Sequence, residues 1–227
     1  MARLLILGGS AMTEPVLAAL TVAGHDVSVY WSRAPETGAA PRISNMRDGL
    51  SGAEAVVDTT HPFDDTVRRI AMRLAPDLPR VCVRRPSWTA SAGDRWQHVR
   101  TLADAVAALP ARARVFAASG RDSAEVLTHH DGPVFLRQLQ RHDHLPPDGC
   151  MYVFGAGPFD VDDEIALFRD LQIDVVLARN IGGTSSFPKI AAARALDMPV
   201  VLIDPPDSGF EQQVADVDAL LTWVACL

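Results

Sequence analysis

Short apolar runs alternate with helical periodicities along the whole chain. Residues 4–7 are unbroken Leu-Leu-Ile-Leu, a strand-type run that stops at Gly8-Gly9. Val16, Leu17, Leu20 and Val22 then recur at helical spacing until Gly24, and residues 26–31 alternate as a strand. Residues 32–53 carry Pro35, Gly38, Pro41, Gly49 and Gly52 and read as loop, with a short strand near Arg42-Ile43. A strand at Val56-Val57, a helix over 64–74 and a strand over 80–83 follow. Periodicity lapses over 86–97. The alternation then resumes, with helices over 102–109, 124–127, 161–171, 186–196 and 214–224. Strands fall over 113–117, 134–136, 151–154, 174–177 and 199–203. Strands alternating with helices over short links predict a doubly wound parallel α/β fold. The lapse splits it into two Rossmann-like halves, residues 1–93 and 94–227, with a ligand cleft expected between them.

The chemistry-bearing residues gather where strands end. Val56-Val57 runs into Asp58-Thr59-Thr60-His61-Pro62-Phe63, and polar loops of the same kind open at Gly8-Gly9-Ser10, Ser119-Gly120-Arg121 and Arg179-Asn180-Ile181-Gly182-Gly183-Thr184. In an open parallel sheet ligands bind at these carboxyl ends, where loop amides and helix N-termini converge. The glycine pair lets backbone approach a phosphate, with Ser10 and Thr13 adding hydroxyls, or else forms a tight turn without a ligand. The three spaced glycines of the dinucleotide fingerprint are absent. Ser32-Arg33 follows the second strand with no acid at the strand end, which favours NADP over NAD if a dinucleotide binds. Arg33 could equally be a solvated loop cation. Arg85 and Trp88 suit a planar anionic ligand, although a tryptophan after a strand is more often a core anchor. The 179–189 segment, ending at Lys189, reads as an anion cradle at a helix start; Lys189 could also be a surface lysine.

Composition narrows the classes. Hydrophobic residues make 48% of 227 residues, enough for a core, and the formal net charge of -7 argues against nucleic acid or anionic membrane as partner. Of the 21 cations every one is arginine except Lys189, a bias that codon preference explains. Cys82, Cys150 and Cys226 lack metal-ligand spacing, so no metal is expected and a reducing cytoplasm fits. The N-terminal apolar run is too brief for a signal peptide or membrane span. No Ser-His-Asp set, P-loop or zinc signature is present.

Taken together these stretches resemble the precorrin-6A reductase family of cobalamin biosynthesis. The resemblance rests on Leu5-Ile6-Leu7-Gly8-Gly9-Ser10 with Thr13-Glu14, on Asp58 to Phe63, and on Arg85-Pro86-Ser87-Trp88 with Asp94-Arg95-Trp96. It continues through Arg114-Val115-Phe116, Ser119-Gly120-Arg121, Gly157-Pro158-Phe159 with Glu164, Asn180 to Gly183, and Lys189 to Arg194. It implies NADPH-dependent reduction of one double bond in precorrin-6A, giving precorrin-6B. The cofactor would meet Gly8, Gly9, Ser10, Thr13, Ser32, Arg33, Thr59, Thr60, His61 and Pro62 in the first half. The substrate, a polycarboxylate tetrapyrrole, would meet Arg85, Trp88, Ser119, Gly120, Arg121, Arg179, Asn180, Gly182, Gly183, Thr184 and Lys189. His61 and Lys189 are the candidates for proton donor, beside water. Handover to other cobalamin-pathway enzymes is the expected partnership. The chain departs from the family in carrying Ala11 and Met12 as extra residues, and in Arg179, Ile181 and Phe187 where Lys, Ser and Tyr are usual. The last two motivate an alternative, a non-catalytic corrinoid- or nucleotide-binding member. A sugar or carbonyl reductase ranks below both, since neither Tyr30 nor Tyr152 stands before Lys189 in the Tyr-x-x-x-Lys spacing.

Overall fold

The computed structural model describes residues 1–32 and 45–227. Two compact units emerge, Met1–Arg85 joined by Pro206–Leu227, and Pro86–Pro205. The first unit holds β1 (Arg3–Gly8), α1 (Thr13–Val22), β2 (Asp26–Trp31), α2 (Met46–Gly52), β3 (Ala55–Thr59), α3 (Thr66–Leu74), β4 (Arg80–Val83), β11 (Gln212–Val214) and α8 (Val217–Val224). Its parallel sheet has the order β11-β4-β3-β1-β2. Because successive strand residues face opposite sides, Leu4 and Ile6 pack with Val16, Leu20, Leu220 and Val224, whereas Leu5 and Leu7 pack with Met46, Leu50, Val67 and Ala71. Both faces of β1 are therefore covered, which is why residues 4–7 are apolar without alternation.

The second unit holds β5 (Trp96–Val99), α4 (Leu102–Ala108), β6 (Val115–Ala118), α5 (Ala124–Leu127), β7 (Val134–Gln138), β8 (Cys150–Phe154), α6 (Val161–Asp170), β9 (Val175–Arg179), α7 (Pro188–Ala195) and β10 (Val200–Ile203). Its parallel sheet runs β5-β10-β9-β6-β7-β8. Phe116, Phe168, Val176, Ile190 and Leu202 fill the core on one face, with the Phe116 and Phe168 rings 4.8 Å apart.

Three elements escape the sequence pattern. Helix α2 lies where loop was expected; Asn45 Oδ1 accepts from the Arg47 amide at 3.0 Å as its cap, and Met46 and Leu50 are its buried positions. Its glycines and its length of about two turns hid it. Strand β5 falls at the end of the lapse and, among the described residues, pairs only with β10, so its middle residues are exposed and do not alternate. Strand β11 has three residues and, among the described residues, pairs with β4 alone. That last pairing, with α8 placing Leu220 and Val224 in the first core, returns the C-terminus to the first unit. Residues 86–93 instead join the second unit, through Trp88. The units thus differ from a division into 1–93 and 94–227.

Candidate functional site

In the first sheet β1 leads to β2 on one side while β3 lies on the other, so the topological switch falls between β1 and β3. Gly8 is in register with Trp31 and Thr59 there. The glycines answer to close packing: a Cβ on Gly8 would lie 2.9 Å from both Thr13 Cγ2 and Trp31 Cε3, and one on Gly9 would lie 2.4 Å from Ser32 Oγ. Thr13 and Thr59 are fully buried and share a hydroxyl bond of 2.9 Å; Thr59 also donates to the Leu7 carbonyl. The Gly9 amide donates to Thr13 Oγ1 at 3.1 Å.

Asp58 and Arg68 anchor the next turn. Arg68 Nε donates to Asp58 Oδ2 at 2.5 Å, with the two side chains 1% and 0% exposed. Thr60 gives its amide and hydroxyl to Asp58 Oδ1 at 2.9 and 2.7 Å and accepts from Arg68 Nη2 at 2.9 Å. Thr13, Thr59 and Thr60 are thus spent inside the unit, holding the loop rather than presenting hydroxyls. What remains partly exposed along this edge is Gly9, Ser10, Ser32, His61 and Pro62. The His61 Nδ1 accepts from the Phe63 amide at 3.3 Å. Ser10 Oγ accepts from the Met12 amide, keeping its own proton to give. A glycine cradle with hydroxyl and imidazole donors at a switch point fits a dinucleotide's phosphates. Arg33 lies outside the described residues.

The second sheet repeats the arrangement. Strand β6 leads to β7 on one side and β9 flanks it on the other, placing the switch between Ser119-Gly120 and Arg179-Asn180. Gly120 has φ 89°, and a Cβ there would stand 3.0 Å from Arg179 Nη1. Arg179 Nη2 donates to Asp122 at 2.7 Å. Ser119 is buried and bonds Ser123 Oγ at 2.7 Å. Asn180 is a hub: its Oδ1 accepts from the Trp88 amide at 2.7 Å, and its Nδ2 donates to the Trp88 carbonyl and Asp204. Trp88, 8% exposed, donates Nε1 to the Gly183 carbonyl and sits in the core. Asn180, Ser119 and Trp88 thus hold the loops in place. Gly182 and Gly183 take φ of 67° and 72°, a left-handed turn suited to glycine. Arg85, Arg121 and Thr184 remain at least partly exposed. Ile181 and Phe187 pack against the same hydrophobic cluster as Trp88.

Lys189 begins α7 with its Nζ donating to the Ser186 carbonyl and lying 5.4 Å from the Trp88 ring centre. Burial brings its pKa down to about 8, with Glu164 pulling it up and Arg137 pushing it down. The sequence pattern missed Arg137. Its guanidinium lies 4.9 Å from Phe116 and 4.5 Å from Phe159, and it binds both oxygens of buried Glu164 at 2.9 and 3.0 Å. An arginine one residue from the end of an apolar strand was the available signal.

A family model described as precorrin-6x reductase CbiJ/CobK matches residues 3–225. The chain belongs to that family. It is 36% identical to a precorrin-6A reductase of Rhodobacter capsulatus over 99% of this chain and 96% of the relative. A precorrin-6A reductase of Rhodococcus erythropolis is 34% identical over 100% and 99%. A solved structure named CobK precorrin-6A reductase superposes with a TM-score of 0.86 at 32% identity, covering 100% of this chain and 97% of that one. For a family of reductases, a nicotinamide cofactor is the implied source of reducing equivalents. The two carboxyl-edge switch points are where this family's fold places exposed loop donors in this chain. No helix among the described residues is long and apolar enough to cross a membrane.

Proposed function

We propose that this chain is an oxidoreductase that uses NADPH to reduce one double bond of precorrin-6A to precorrin-6B in cobalamin biosynthesis. The observation that carries the reading is the likeness to precorrin-6A reductases along the full length of both chains. Bound in the first unit, NADPH supplies the hydride. Gly8 and Gly9 keep that edge open for the pyrophosphate, Ser10, Ser32 and His61 donate to it, and the Asp58–Arg68–Thr60 network fixes the His61-Pro62 turn. Arg33, following a strand end without an acid, selects the 2′-phosphate.

In the second unit Arg121, Arg179 and Lys189 offer cations to the substrate's carboxylates, with the Gly182-Gly183-Thr184 turn in the same unit; Arg85 closes the first unit and offers another. Arg179 exchanges Asp122 for substrate on binding. Lys189 delivers the proton that completes the reduction: it is half-buried, burial lowers its pKa to about 8, and it lies in the first turn of the helix that follows the second switch point. The non-catalytic alternative drew on Ile181 and Phe187. Both side chains are partly buried against the hydrophobic cluster that holds Trp88, where they serve packing. The reading places the protein in the cytoplasm, in succession with enzymes that make and consume its tetrapyrrole.

The test begins with fluorescence titration by NADPH and NADH of the natural chain and Arg33→Ala, followed by precorrin-6A-dependent loss of NADPH absorbance. The expected result is NADPH selectivity that Arg33→Ala abolishes, and turnover that Arg179→Ala lowers by at least tenfold. Binding of neither cofactor, or cofactor binding without turnover on precorrin-6A, refutes the reading.

A further inference from the structure

Trp88 stands in the segment where periodicity lapses, yet the 180–189 loop is assembled around it. Its amide donates to Asn180 Oδ1 at 2.7 Å, and its carbonyl accepts from Asn180 Nδ2 at 3.2 Å. Its Nε1 donates to the Gly183 carbonyl at 2.7 Å, which ties the left-handed Gly182-Gly183 turn to the edge of the indole. Its flank meets the Phe187 ring, with centres 5.8 Å apart and planes at 60°. Phe187 is covered in turn by Arg194, 5.5 Å from its ring centre, and Asp94 holds that guanidinium through both oxygens at 2.7 and 2.8 Å. Backbone, ring edge and flank are all fixed, and Trp88 is 8% exposed. An indole anchored in this way has no freedom to swing onto a ligand.

The ring face is already taken. Lys189 Nζ lies over it, 5.4 Å from the ring centre, within the range at which the negative face of tryptophan attracts an ammonium ion. The attraction belongs to the charged form, since a neutral amine offers the ring quadrupole no charge. Nζ also donates to the Ser186 carbonyl. An ammonium carries three N–H bonds. The Ser186 carbonyl takes one and the indole face meets another, so a third is left to give. Charged groups on neighbouring elements act on Nζ as well. Glu164 of α6 favours the ammonium and Arg137 of β7 opposes it, while Asp163 bears on Glu164 in turn. Burial opposes the charge most, and brings Lys189 down to about 8.

We propose that Trp88 is the positioning residue of the proton donor: its indole face holds the Lys189 ammonium and leaves one N–H bond for the substrate, while its Nε1 fixes the glycine turn of the same loop. This rests on the reading of Lys189 as proton donor. In the step, a hydride from the reduced nicotinamide forms a C–H bond at one carbon of the double bond. The Nζ–H bond breaks as a second C–H bond forms at the neighbouring carbon. The lysine, left as the neutral amine, recovers its proton from water, so one hydride and one proton are consumed per turnover. The aromatic face that the sequence offers to a planar ligand thus serves the donor instead.

Fluorination drains charge from the face of an indole while keeping its outline and its Nε1–H. Mono-, di- and trifluorotryptophan placed at position 88 alone therefore weaken the ammonium contact and preserve the Gly183 hydrogen bond. Lys189 is the only lysine, so protein labelled with ¹³Cε-lysine gives a single signal whose pH titration needs no assignment. We expect a midpoint near 8 in the natural chain. Along the series it should fall stepwise, by about half a pH unit or more in all, roughly threefold in the dissociation constant. A merely structural role predicts the reverse, because a loosened site admits water, relieves burial and raises the midpoint toward the ordinary 10.5. A midpoint that stays fixed or rises along the series overturns the proposal. The alkaline limb of turnover on precorrin-6A should fall with the signal. A limb that stays fixed while the signal moves removes Lys189 as donor, and the proposal with it, yet leaves an active reductase. No turnover in the natural chain refutes the reductase reading and the proposal together, which separates that failure from a fixed midpoint in active enzyme.

Discussion

Asp58→Ala should be the most damaging single change in the first unit. Arg68, 1% exposed, would keep its guanidinium in the interior with no counter-ion among the described residues, where its Nη1 already has no hydrogen-bond partner. Removing one member of a buried pair costs about 3–5 kcal/mol, because the stranded charge cannot reach water. The Thr60 amide and hydroxyl lose their acceptor as well, at roughly 1 kcal/mol each. Against a total stability of about 5–15 kcal/mol, this takes a large share. The pair Asp58→Leu with Arg68→Met should cost much less than the worse single change, since no buried charge survives in it.

Urea unfolding of the natural chain, Asp58→Leu, Arg68→Met and the double variant forms the double-mutant cycle that measures this, with Asp58→Ala beside it, read by the first-unit tryptophans Trp31 and Trp223. The expected coupling is at least about 2 kcal/mol. A loss below about 1 kcal/mol for Asp58→Ala, or additive single changes, would refute the claim that the pair holds the fold of this edge. NADPH affinity of Asp58→Ala at a temperature where it remains folded should drop by about tenfold or more, because the turn carrying His61 loses its anchor.

Three further outcomes follow from the same geometry. Asn180→Leu should destabilise the second unit by about 2–4 kcal/mol in urea unfolding, since it strands the buried Trp88 amide that Asn180 Oδ1 accepts from; a loss under about 0.5 kcal/mol would show that segment 86–88 is held by packing alone. Burial pushes the Cys82 thiol up to about 12 and raises Cys150 as well, so a disulfide reagent at pH 8 should label exposed Cys226 quickly in the native protein and all three only after unfolding. Lys189→Met should be more stable than the natural chain at pH 7 while losing turnover. The folded pKa of about 8 lies below the ordinary 10.5, so between these values the unfolded chain binds more protons and stability of the natural chain rises with pH. Below 8 the charge costs the fold about 3 kcal/mol. The advantage of Lys189→Met should fade as pH approaches 10.5, and a variant less stable than the natural chain at pH 7 would contradict this.

The two-sheet alternation was legible because fully buried parallel strands must be apolar on both faces, and residues 4–7 or 175–178 can be little else. The strand-end loops were legible because glycine and hydroxyl residues interrupt those runs. What each hydroxyl does was not. Thr59 and Ser10 look alike in sequence, yet one is sealed between Leu7 and Thr13 and the other stays at the edge. Arg68 and Arg69 are adjacent cations on one amphipathic helix. Arg68 turns inward to Asp58 and Arg69 outward to Asp65 at 3.1 Å, a choice set by a partner ten positions away in the chain and by the sheet on which α3 packs. Arg137 and Glu164 stand farther apart still and meet only because β7 and α6 share one face of the second unit. The composition did hold one clue that periodicity could not: the sole lysine of the chain. A bias that strong makes its exception informative, because the one property lysine has and arginine lacks is a proton it can give up.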